Sequence, residues 1–274
     1  MTPHRSLLFV PGSRPERFDK ALAAGADAVI VDLEDAVAPA DKLAARESAR
    51  EWLRPEHSVV LRINAADTPW FEGDITLCAL PGVAAVMLPK AERAETIAAL
   101  VAAGAKGVLP LIETAAGFAA LTTIAAAPGV QRLVFGSIDF QLDLGMHDAH
   151  EDELLVFRAQ IVLASRLAGL AAPIDSVSTA IDNAEALHTD VQRARRLGFG
   201  GKLCIHPKQV AGVHRGFAPS ADEMAWAQRV LAASAAAGGA AIAVDGKMVD
   251  TPVLLRAERI LNERALISRP ETRL

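Results

Sequence analysis

Ala28-Val29-Ile30-Val31-Asp32-Leu33-Glu34-Asp35 is the stretch on which the fold turns. Four apolar residues, three of them β-branched, run without polar alternation, as expected of a strand covered on both faces. The run then breaks into three carboxylates within four positions. Outward from it the same texture recurs. Apolar runs predict strands over residues 7–10, 28–32, 59–63, 84–88, 107–112, 133–136, 172–174 and 202–205. Between them lie Ala-rich amphipathic stretches that predict helices over 15–24, 39–52, 91–103, 115–126, 151–168, 183–197 and 207–213, with a weaker one over 68–80. Prolines open the first two, and several of the helices end at glycine, at positions 25, 104, 169 and 198. Eight strands with a helix after each favour a closed (β/α)8 barrel, an α/β fold, over an open sheet.

A length of 274 residues fits one such barrel about as well as two smaller domains. The texture changes near Pro219: a helix over 220–236, a Gly-Gly break, a short strand or hairpin over 240–249 turning at Asp245-Gly246, and a helix over 252–269. Residues 1–218 are therefore assigned to the barrel. Residues 219–274 form a C-terminal extension, a cap on its own barrel or an arm to a neighbouring subunit.

Composition narrows the function. The chain is 51% hydrophobic with a net charge of −5, its charges interleaved and without a basic run, so nucleic acid is not an expected partner. Without tyrosine, no mechanism can use a tyrosine acid or base. Cys78 and Cys204 match no metal spacing and are expected to be free thiols. No signal-peptide core and no membrane-spanning run is visible, and a cytoplasmic protein is expected.

In a barrel the chemistry gathers where strands end and the following loops begin. Those ends carry Asp32, Glu34 and Asp35 (strand two), Arg62 and Asn64 (three), Lys90 (four), Glu113 (five), Asp139 (six), Asp175 (seven) and His206 (eight). So many ionisable groups at one rim favour a site over a core. Glu113 and Asp139 on neighbouring strands are the natural metal pair, and oxygen donors without His or Cys point to Mg2+, with Mn2+ the substitute, not to zinc. Asp32 either binds such a metal through water or caps a helix, and Glu34 and Asp35 are similar. The planar fork of Arg62 suits a substrate carboxylate or an ion pair with Asp32 or Glu34, and the two roles can coexist. Lys90 reads as an orienting or ion-paired lysine ahead of a Schiff-base nucleophile. Asp175 taken alone reads as a helix N-cap, His206 as structural and Cys204 as core.

The ordered motifs resemble the citrate lyase β-subunit family, within the wider HpcH/HpaI aldolase and malyl-CoA lyase group. Arg5-Ser6-Leu7-Leu8-Phe9-Val10-Pro11-Gly12 looks like its opening, and residues 25–37 are its most recognisable segment. Leu61-Arg62-Ile63-Asn64, Leu88-Pro89-Lys90, Leu111-Ile112-Glu113-Thr114, Phe135-Gly136-Ser137-Ile138-Asp139-Phe140, residues 201–207 and residues 245–252 follow in family order. The resemblance implies a TIM barrel assembled as trimers or hexamers. It implies Mg2+ on Glu113 and Asp139, a substrate carboxylate on Arg62, and Asp32 beside the metal's waters. It also implies a C-terminal region reaching over a neighbour's site, with Asp250 as acid/base. The expected substrate-binding set is Arg62, Lys90, Glu34, Pro11 and Gly12, and the catalytic set Asp250, Arg62 and Asp32. The implied reaction cleaves a 3-hydroxy-3-carboxy acyl thioester, carried on coenzyme A or an acyl carrier protein, to a 2-oxo acid and an acyl thioester. An acyl-CoA thioesterase, a class II aldolase on the same metal site, and a non-independent subunit of a citrate lyase complex remain the alternatives.

Overall fold

A computed structural model describes residues 4–147, 149–237 and 242–267. Eight parallel strands close into a barrel in sequence order: β1 (Ser6–Pro11), β2 (Ala28–Asp32), β3 (Val59–Arg62), β4 (Val83–Leu88), β5 (Val108–Ile112), β6 (Val134–Phe135), β7 (Ile174–Asp175) and β8 (Gly201–Cys204), with β8 pairing back onto β1. The helices between them are α1 (Phe18–Leu22), α2 (Lys42–Trp52), α3 (Phe71–Ile75), α4 (Ala94–Ala102), α5 (Ala115–Ala119), α6 (Leu121–Ala125), α7 (Ser137–Asp143), α8 (Leu155–Leu167), α9 (Ala184–Leu197) and α10 (Pro207–Phe217). The fold is a (β/α)8 TIM barrel.

Period-two pleating explains what fills it. Alternate residues Ala28 and Ile30 of β2, Ala85 and Met87 of β4, and Leu109 and Leu111 of β5 meet Leu7, Val60, Val134, Ile174 and Leu203 in one buried apolar cluster inside the barrel. Two positions further along, the same inward line reaches Asp32 on β2 and Glu113 after β5, and on β3 it runs from Val60 to Arg62. The interior is thus apolar up to its C-terminal mouth and charged there.

Four details depart from the sequence reading. The helix expected over 68–80 is only Phe71–Ile75, and the one over 115–126 breaks in two at Ala120, where φ −89° and ψ 4° leave the helical region. The helix α7 begins directly after β6, where sequence had suggested only a strand end. Asp175 is no N-cap: its Oδ1 accepts from Arg158 Nε at 2.9 Å, and Lys202 Nζ lies 3.7 Å from Oδ2. Because Ile174 faces the barrel interior, Asp175 faces the helices, away from the mouth.

Contacts divide the chain into a unit of residues 4–214 and a unit beginning at Arg215, the division falling within α10. The second unit contains α11 (Ala221–Ala237), a hairpin of β9 (Ile242–Val244) and β10 (Lys247–Val249) turning at Asp245-Gly246, and α12 (Thr251–Ile267). It has its own apolar core of Ala227, Val230, Val249, Ala257 and Ile260. Both cysteines are buried free thiols, and no described helix is long and apolar enough to cross a membrane.

Candidate active site

Arg62, only 8% exposed, is the hub of the mouth. Its Nε and Nη2 donate to the two oxygens of Asp32 at 2.7 and 2.6 Å, a bidentate pair across neighbouring strands. Nη1 turns outward, 2.8 Å from Glu34 Oε2 and 3.4 Å from Asp35 Oδ2. The Glu34 contact is close in distance but misaligned for a hydrogen bond, and Oε2 is left a buried oxygen without a donor. Phe9 covers the guanidinium, its ring centroid 4.8 Å from the central carbon. Burial opposes the charge on Arg62, but Asp32, Glu34 and Asp35 together push its pKa further up.

Asp32 has no free capacity of its own. Besides Arg62 it accepts the backbone N–H groups of Glu34 and Ala36 at 2.9 and 3.2 Å, which folds the segment after β2 into a turn. The ion pair of Arg62 with Asp32 is therefore present, whereas Asp32 ties a turn and caps no helix, the next one starting only at Pro39. The turn is crowded against β1: Gly12 N–H donates to Asp32 O at 2.7 Å, and a Cβ on Gly12 would lie 2.8 Å from that oxygen. Pro11, paired in register with Asp32, completes this wall.

Glu113 is buried, and Thr114, not Glu113, caps the following helix, accepting from Gly117 N–H. The Glu113 carboxylate is held by a main-chain donor, Lys90 N–H to Oε1 at 2.8 Å. To present that N–H, Lys90 adopts φ +43°, a left-handed conformation that costs a non-glycine residue roughly 1–2 kcal/mol. The Lys90 side chain is exposed. On its other side Glu113 abuts Gly136, where a Cβ would come within 2.6 Å of Oε2. Three residues beyond Gly136, Asp139 occupies the first turn of α7, where a carboxylate interacts favourably with the helix dipole. The N-terminus of α7 is fixed by Ser176, whose Oγ accepts from Ser137 N–H at 3.1 Å and lies 2.8 Å from Ser137 Oγ.

The carboxylates feel one another. Burial, then Glu34 and Asp139, raise the pKa of Glu113 to about 8, against the Lys90 N–H. Burial raises Glu34 to about 7, with Asp35, Asp32 and Asp139 adding to it and Arg62 opposing. Asp139 is also raised, by burial and then by Asp35. Asp32, Glu34, Asp35, Glu113 and Asp139 thus share one mouth with one buried guanidinium. An all-oxygen donor set, excess negative charge and an unmatched buried oxygen together fit a hard divalent cation. Among the described residues no three His, Cys, Asp or Glu side chains cage a metal by themselves. A pair of carboxylates suits an ion that keeps water and substrate in most of its coordination sphere, as Mg2+ does.

Another polar cluster, at the start of β1, argues against hydrolysis by a Ser-His-Asp relay. Ser6 Oγ at 2.7 Å and Asp27 Oδ1 at 3.2 Å both approach the same nitrogen, His214 Nε2. A relay needs the serine hydroxyl and the orienting carboxylate on opposite nitrogens of the ring. Asp250 lies in the second unit, exposed before α12, with Oδ1 accepting from Val253 N–H at 3.2 Å. Sequence reasoning passed over Phe9, Lys42, Asp74 and Ser176. The first continues the inward line of β1, a signal that strand parity carries; the others are recruited across long stretches of chain.

Residues 5–207 match the HpcH/HpaI aldolase/citrate lyase family model. The chain belongs to that family. It is a lyase. A citrate lyase subunit beta-like protein of Mycobacterium tuberculosis is 42% identical over 261 residues, 93% of each chain. The L-malyl-CoA/beta-methylmalyl-CoA lyase of Cereibacter sphaeroides is 36% identical, with 97% of this chain and 96% of that one covered. The crystal structure of CitE from Mycobacterium tuberculosis in complex with magnesium, acetoacetate and coenzyme A superposes with a TM-score of 0.86 at 39% identity, covering 96% of this chain and 98% of that chain.

Proposed function

We propose that this family member is a Mg2+-dependent carbon–carbon lyase acting on a 3-hydroxy-3-carboxy acyl thioester of the citryl, malyl or citramalyl type, on coenzyme A or an acyl carrier protein. The observation that carries the reading is the convergence of Glu113 and Asp139 beside the Arg62 hub at the charged mouth of an apolar barrel interior. Relatives that bind magnesium and coenzyme A, or cleave malyl thioesters, support it.

Glu113 and Asp139 would hold Mg2+, which when bound supplies Lewis-acid polarisation of the substrate's carboxylate and hydroxyl oxygens. Arg62 grips the substrate carboxylate through its outward Nη1 edge, while Asp32 fixes the other edge. Glu34 and Lys90 flank that carboxylate, and the tight turn at Pro11 and Gly12 closes the wall beside it. Transfer of the hydroxyl proton to solvent water at the mouth lets the C–C bond break, its electrons passing to the acyl fragment as a thioester enolate while the other fragment leaves as a 2-oxo acid. Asp250 of a neighbouring subunit in a homo-oligomer, a trimer or hexamer, gives a proton to that enolate, and takes one from the acyl thioester in the condensing direction.

The test is cleavage of a panel of hydroxyacyl-CoA thioesters by the purified chain, with pyruvate, glyoxylate and oxaloacetate trapped separately and oligomer mass measured in parallel. A 2-oxo acid formed only with Mg2+ and lost in Glu113→Gln supports the reading. Cleavage that persists in excess EDTA sinks it, and so does free thiol released without a 2-oxo acid. Asp250→Asn is expected to lower kcat at least about 100-fold with Mg2+ affinity kept.

A further inference from the structure

Lys42, the first residue of α2, is 6% exposed and so is a buried cation. Its ammonium has three protons and meets three acceptors: Leu33 O at 2.9 Å, Glu34 O at 2.8 Å and Asn64 Oδ1 at 2.6 Å. Those acceptors are not scattered. Leu33 and Glu34 are the two residues after Asp32, and Asn64 is two residues after Arg62, so one nitrogen ties together the chain ends leaving β2 and β3. Asn64 is itself held, its N and Nδ2 donating to Asp74 Oδ2 at 2.9 and 2.6 Å. Asp74 Oδ1 accepts from Arg46 Nε at 2.7 Å. Arg46 lies one helical turn beyond Lys42, so α2 sends two cations beneath the mouth, and the Trp70 ring, 5.1 Å from Nζ, shields the first.

A buried ammonium is costly unless its protons are matched. Here the match fixes both carbonyls of the segment that carries Glu34 and Asp35 to Arg62 Nη1. We propose that Lys42 is a positioning residue: it sets the backbone of residues 33–36 and thereby the direction in which Arg62 presents Nη1, held between Glu34 and Asp35, to a substrate carboxylate. The assignment rests on the reading of Arg62 given above. Lys42 does not touch substrate or metal in it. The requirement is for a tetrahedral donor, not for positive charge, because the planar fork of arginine cannot meet three acceptors converging on one atom.

The test uses the full-length protein loaded with Mn2+ and two separate binding measurements. Mn2+ affinity is read by electron paramagnetic resonance, and glyoxylate and pyruvate affinity by calorimetry, with urea unfolding as the control for fold. Lys42→Met and Lys42→Arg are both expected to weaken 2-oxo acid binding about tenfold or more while Mn2+ affinity stays within about threefold of wild type, the scale on which removal of a supporting residue acts. Full binding by Lys42→Arg would show that charge alone suffices and overturn the positioning role. Wild-type affinity in Lys42→Met overturns it too. If neither variant folds, Lys42 serves the fold and the assignment falls. A wild-type protein that holds Mn2+ but binds no 2-oxo acid sinks the reading of Arg62 first, a failure visible before any variant is compared.

Discussion

A methyl group at Gly136 would stand 2.6 Å from Glu113 Oε2, closer than any side chain tolerates, so Gly136→Ala tests how much freedom the carboxylate proposed to hold Mg2+ has. Overpacking of this kind costs roughly 1–3 kcal/mol, and relief comes only by moving Glu113. The expected result is a folded variant whose urea midpoint no longer rises when Mg2+ is added. In the wild type, Mg2+ at about 100 times its Kd should add roughly 2.7 kcal/mol. The contact on the other oxygen predicts the opposite outcome. Lys90 reaches Glu113 through its main chain, so Lys90→Ala should keep Mg2+ affinity within about threefold, less than the loss on removing a supporting side chain. Loss of metal binding in that variant would mean that the exposed ammonium matters more than the N–H.

At the scale of elements, Thr114 links β5 to α5, capping the helix and donating Oγ–H to Glu92 Oε1 at 2.9 Å. Thr114→Ala should lower the unfolding free energy by about 0.5–2 kcal/mol in urea titrations, and Thr114→Ser should restore most of it. Elements also explain what could be read in advance. β2 was legible to the residue because four buried apolar residues end at a buried acid, and the pleat then dictates that Asp32 faces the mouth. Strand parity, applied to β7, would have turned Asp175 away from the mouth toward Arg158. The start of α7 was not legible, because Ser137-Ile138-Asp139-Phe140 has no side-chain cap of its own and depends on Ser176, 39 residues later. Lys42 was hidden for the same reason: its acceptors are mainly backbone carbonyls, which have no sequence signature.

For the whole molecule, the crowded carboxylates set a pH dependence of stability. Glu34 and Glu113 have folded pKa values of about 7 and about 8, against 4.5 for a glutamate in the unfolded chain. Between those limits the folded state binds more protons than the unfolded chain, so the metal-free protein loses stability as pH rises. Urea midpoints in EDTA should therefore fall from about pH 5 to about pH 9, and Glu113→Gln should remove part of the slope. Below the unfolded pKa the penalty vanishes, because both states are protonated. The same crowding makes hydrogen ions and magnesium rivals for one place. On the proposed assignment, each Mg2+ ion held between Glu113 and Asp139 would expel the protons gathered there, so loading would acidify a weakly buffered solution and tighten as pH rises. Occupancy of the enzyme is thereby geared to the acidity around it.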